Sequence, residues 1–137
     1  MKITVCVQKD MFDENQMNTL KKFIMFLNGK IELNEDITIK MLKEREGSMT
    51  TGSRNSEHEL KVLADGRMFI DILRTLAHEW VHEGQSVILG YESGPDIGGM
   101  LEDSANALAG IYMKEFVRDN PEVEEVLYEN FIKNFVF

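Results

Sequence analysis

The chain is poor in cysteine, proline, histidine and positive charge, and it has no long apolar run. Cys6 is the single cysteine among 137 residues. No internal disulfide can form, which fits a reducing compartment. Lysine and arginine number 15 against 24 acidic residues, a net charge of -9. That balance argues against a general nucleic-acid or anionic-membrane surface, because both need clustered cations. No stretch approaches the roughly 20 apolar residues of a membrane span. The opening Met1–Val7 is too short an apolar run for a secretion signal, so a cytoplasmic protein is expected. There is no internal repeat, low-complexity tract or glycine-rich phosphate loop, and nothing points to a nucleotide. The two prolines, Pro95 and Pro121, fall between helical patterns.

What is present suffices for one core. A hydrophobic fraction of 43%, with nine methionines and eight phenylalanines, suits one domain over residues 1–137.

Histidine occurs three times, and two of the three share one short segment, Leu76-Ala77-His78-Glu79-Trp80-Val81-His82. Histidines four apart on a helix stand one turn above each other, so both rings can grip a single metal ion. Glu79, about 100° around the helix, reaches a water on that ion. The same pattern also arises by accident on solvated helix faces, so its surroundings decide. Phe69, Ile72, Leu73, Leu76 and Trp80 form an apolar stripe, with Asp71, Arg74, Thr75, His78 and His82 on the opposite side. The histidines therefore face a cleft and not the core. Asp65-Gly66 marks a turn before this helix, and Gly84 is the expected stop.

A catalytic zinc takes three protein ligands and leaves a fourth position for water. With Cys6 and His58 remote in the sequence, the third ligand is sought among carboxylates. Beyond His82 lies Gly98-Gly99-Met100-Leu101-Glu102-Asp103-Ser104-Ala105-Asn106, which reads as the start of a second helix. Glu102 can coordinate the metal, and Asn106, one turn on, can hold a ligand side chain. Ala105 and Ala109 let the two helices approach closely.

H-E-x-x-H followed at this distance by Glu102-x-x-Ala105-Asn106 resembles the gluzincin branch of the zincin metallopeptidases. It is most similar to small stand-alone members, the ImmA/IrrE-like peptidases and phage-encoded minimal metallopeptidases. The resemblance runs from about Leu60 to Phe116. Val81 departs from the glycine usual in ImmA/IrrE proteins, and Gln85 matches the phage-like versions. The resemblance implies an α+β, zincin-like fold, with a small mixed or antiparallel sheet packed on both motif helices and with further N- and C-terminal helices. It implies one Zn2+ per chain on His78, His82 and Glu102, Glu79 as general base, and a peptide or protein substrate. A phage origin would place the protein in the host cytoplasm. The alternatives are a zinc-binding regulatory module that does not cleave, and a latent peptidase blocked by its own tail.

The remaining segments read more plainly. Ile3, Val5 and Val7 alternate as a strand. Asp13-x-x-Gln16 forms a capping box for a helix carrying Met17, Leu20, Phe23, Ile24 and Leu27, ended by Asn28-Gly29. Ile37, Ile39 and Met41, then Leu60 and Val62, read as two antiparallel strands joined by a long mobile loop. In the resembling family an edge strand along the cleft pairs with an extended peptide. His58 reads as a surface side chain at a strand start. The segment 83–99, punctuated by glycines and Pro95, is a loop; Tyr91 within it either packs there or donates a hydrogen bond in a transition state. Asn120-Pro121 separates the Glu102 helix from a last one bearing Val123, Val126, Leu127 and Phe131. The apolar tail Phe131–Phe137 caps the core, docks on a partner or covers the cleft.

Overall fold

The computed structural model describes residues 1–91 and 99–128. Most of the glycine-rich loop, including Gly94, Pro95 and Gly98, and the apolar tail from Phe131 lie outside the described residues.

The architecture is α+β. Its elements are β1 (Ile3–Cys6), α1 (Glu14–Lys30), β2 (Ile37–Leu42), β3 (Gly52–Arg54), β4 (Glu59–Leu63), α2 (Phe69–Val87) and α3 (Met100–Asp119). A 3-10 turn over Pro121–Val123 leads into helical residues 124–128. No described helix is long and apolar enough to cross a membrane.

Helix α1 begins at the capping box that Asp13-x-x-Gln16 encodes. The Gln16 N–H donates to Asp13 Oδ1 at 2.8 Å, and the Asp13 N–H donates to Gln16 Oε1 at 3.0 Å. Two orphan donors of the first turn are thereby satisfied. Its Leu20, Phe23 and Leu27 are wholly buried.

The sheet is mixed, in the order β1-β2-β4-β3. Alternation along β2 buries Ile37, Ile39 and Met41, and along β4 it buries Leu60 and Val62, as the period of two requires. These two strands are parallel, Ile39 beside Leu60 and Met41 beside Val62, and not the antiparallel pair their sequences suggest. The long segment between them carries β3, which turns back to run antiparallel to β4 and forms the sheet edge. Gly-Ser-Arg has no alternating apolar residues, so nothing in its composition announces a strand.

Helix α2 is the most enclosed element. Leu73, Leu76 and Trp80 are wholly buried, each contributing about 1.5–3 kcal/mol of apolar burial. The Trp80 indole N–H reaches the Ile31 carbonyl at 2.9 Å and ties α2 to the end of α1. Gly84 does not end this helix. It lies inside it, where an added Cβ would stand 2.7 Å from Ile31 Cγ2, so its lack of a side chain serves a close approach. The stop is Gly90, in the left-handed region at φ +75°. The Gly90 N–H donates to the Ser86 carbonyl at 3.1 Å and the Tyr91 N–H to the Gln85 carbonyl at 3.0 Å.

Helix α3 lies along α2, the broadest helix contact among the described residues. Ala105 and Ala109 are buried at that contact, small enough to let the backbones close in. All three helices and the sheet feed one continuous apolar core.

Candidate metal centre

On α2, His78, Glu79 and His82 form a group whose ligand atoms lie within 4.8 Å of one another. The i, i+4 spacing puts the two imidazoles edge to face, ring centres 4.6 Å apart, with Nε2 to Nε2 at 3.1 Å. From the first turn of α3, Glu102 meets both: Oε1 is 2.9 Å from His78 Nε2, and Oε2 is 2.9 Å from His82 Nε2. Three residues singled out in the sequence thus converge on one point. Glu79, from the same helix, completes the surroundings.

The donor set suits a metal ion. Ligands arranged tetrahedrally about Zn2+ at roughly 2.0–2.1 Å stand about 3.3 Å apart, a few tenths of an ångström wider than these contacts. With each imidazole neutral and its Nε2 unprotonated, two ring nitrogens and a carboxylate would present lone pairs to the same space, which a shared cation would occupy. Burial pushes the His78 imidazole below its ordinary pKa, against the opposing pull of Glu102. The neutral, metal-ligating form of His78 is favoured accordingly.

Support for the ligands comes from neighbouring side chains. Asn106, exposed on α3 one turn beyond Glu102, lies near enough to His78 to act to raise its pKa. Gln85, almost fully buried, lies with Oε1 2.8 Å from His82 Nδ1 and donates from Nε2 to the Leu101 carbonyl at 3.0 Å. The sequence marks Gln85 by its place one turn beyond His82 and by its match to the phage-like versions of the resembling family, and neither shows that it bonds His82. Tyr91 sits exposed just past the end of α2, beside the undescribed loop.

The adjoining flank of α2 is covered by the edge strand. Thr75, Glu79 and Glu83 are all buried there. Glu79 is 6% exposed, and its Oε2 has no hydrogen-bonding partner among the described residues. Desolvation, reinforced by the negative charge of Glu102, raises its pKa to about 7. His82 and Arg54 act in the other direction.

Strand β3 closes on α2 because Gly52 has no side chain: a Cβ there would meet Thr75 Cγ2 at 2.6 Å and Glu79 Cγ at 3.1 Å. Two residues on, Arg54 donates from Nε to Glu83 Oε1 at 2.7 Å, and its side chain is 5% exposed. His58 takes the other oxygen, Nδ1 to Oε2 at 2.7 Å. His58 does stand at the start of β4, as read from the sequence, but its ring is engaged and only partly exposed. It adopts φ +61° and turns its half-buried ring onto Glu83. Sequence reading missed this cluster, since its members are 25 and 29 residues apart and carry no common motif.

Comparison with known proteins finds no matching family model, no matching curated protein and no matching solved structure.

Proposed function

We propose that the protein is a zinc-dependent metallopeptidase of the gluzincin type, with His78, His82 and Glu102 as the ligands of one Zn2+. The observation that carries this reading is the meeting of three lone-pair donors at 2.9–3.1 Å beside Glu79. The buried Oε2 of Glu79 has no partner among the described residues, as expected of a proton shuttle and not of a surface carboxylate. A structural zinc usually takes four protein ligands, and three are found here among the described residues.

Bound at these residues, zinc supplies Lewis acidity, which acidifies a water and polarises a scissile carbonyl. Glu79 accepts the proton of the attacking water and returns it to the leaving amine nitrogen. A carboxylate placed beside the two histidines is positioned for both transfers. Asn106 holds His78 in orientation. Tyr91 is the proposed donor to the oxygen that develops negative charge. The free edge of β3 runs beside Glu79 and offers backbone groups to an extended peptide.

The test is metal content by elemental mass spectrometry, joined to cleavage of a proteome-derived peptide library. Wild type and Glu79→Gln are both expected to hold one zinc per chain, and only wild type to cleave. Zinc binding without cleavage by wild type would favour a non-catalytic zinc module. A reconstituted protein that binds no zinc removes the reading.

A further inference from the structure

We infer that Gln85 is a positioning residue of the metal centre, fixing the tautomer of His82 and locking it to the turn that carries Glu102. The inference deepens the zinc reading above and rests on it for the affinity effect alone.

The argument starts from what each atom can do. The Leu101 carbonyl only accepts, so the Gln85 group 3.0 Å from it is the amide NH2. The other end of the same amide is then the carbonyl oxygen, and it lies 2.8 Å from His82 Nδ1. That oxygen also only accepts, so Nδ1 must carry the hydrogen. In a neutral imidazole the proton on one nitrogen leaves the other with a free lone pair. His82 Nε2 therefore presents its lone pair to the space shared by His78 Nε2, 3.1 Å away, and Glu102 Oε2, 2.9 Å away.

The second half of the device is mechanical. Leu101 immediately precedes Glu102, and the first turn of α3 has no side-chain cap of its own. One buried amide thus joins a ligand on α2 to the backbone beside the ligand on α3. Gln85 is 8% exposed, so water competes little for either bond. Gln85 thus serves His82 from α2 itself.

The experiment uses the full chain and has two readouts. Nitrogen-15 NMR of the histidine rings in metal-free protein, at a pH where His82 is neutral, reports the tautomer. Chelator competition with Zn2+ reports the affinity. In wild type, His82 is expected to be protonated at Nδ1. In Gln85→Leu that preference is lost, and zinc affinity falls about 10 to 100-fold, the usual cost of removing such a partner. Gln85→Glu keeps an acceptor facing Nδ1 but loses the donor to Leu101; it is expected to retain the tautomer while still weakening zinc. This variant also answers a failure of Gln85→Leu to fold. An unchanged tautomer in Gln85→Leu, or His82 found protonated at Nε2 in wild type, overturns the inference. Wild type that binds no zinc but shows the Gln85-dependent tautomer would overturn the metal reading and leave the orienting role established.

Discussion

Glu83, wholly buried one residue beyond His82, receives the Arg54 guanidinium of the edge strand at 2.7 Å. The pair fastens β3 to α2 at the level of the metal centre. It holds the strand where Gly52 approaches Glu79, so the placement of β3 against the candidate metal site depends on a charge pair outside that site. Removing one partner leaves the other buried and uncompensated.

Glu83→Ala is therefore expected to lower stability by about 3–5 kcal/mol, measured by urea denaturation of the metal-free protein. A loss below about 1 kcal/mol would show that Arg54 finds water instead and that the pair fastens nothing.

Gly52→Ala places a methyl group 2.6 Å from Thr75 Cγ2, 3.1 Å from Glu79 Cγ and 3.2 Å from the Lys61 carbonyl. The carbonyl belongs to the paired strand and cannot yield freely. Strand and helix must part, at a cost of about 1–3 kcal/mol. Zinc stoichiometry is expected to hold, because none of His78, His82 and Glu102 is among the groups the methyl would meet, while cleavage falls as Glu79 moves. Unchanged stability and turnover would mean that this seam is slack.

In the metal-free protein, Glu79 makes stability depend on pH. Its folded pKa of about 7 is raised above the usual glutamate value, so the unfolded chain releases this proton first. The contribution is fully present below the unfolded pKa and is lost as pH rises through about 7. Glu79→Gln is expected to be more stable than wild type above that range, by on the order of 2 kcal/mol, with the advantage gone in acid. Thermal melts in the presence of a chelator across that range provide the check. A constant difference at every pH would show that Glu79 is ionised throughout.

Asn106→Ala is expected to weaken zinc by about 10 to 100-fold with little change in fold, since Asn106 is exposed and stands one turn beyond Glu102, near enough to influence His78. Equal affinity in both proteins would limit Asn106 to a surface role.

How much of this was legible in the chain depends on the range of each interaction. The capping box and the meeting of His78 with His82 are helix-local and follow from spacing. Glu102 is foreseeable too, because its helix carries the small residues that permit approach. Strand partners are another matter. Parallel and antiparallel ladders share a period of two, so Ile39 and Leu60 announce strands without saying how they pair. Gly84 misleads because a glycine that serves a close approach looks the same as one that ends a helix. Glu83 reads as one more acidic residue until Arg54 and His58, distant in sequence, arrive beside it.

Trp80 stands between Glu79 and Val81, wholly buried, with its indole N–H held by the Ile31 carbonyl. It is the only tryptophan in the chain. Nature has thus placed a single fluorophore inside the metal-binding motif itself, in a dry, hydrogen-bonded setting on the side away from the histidines. Its emission reports the state of that one helix without a label, and any movement of α2 when the site fills or empties can be followed optically.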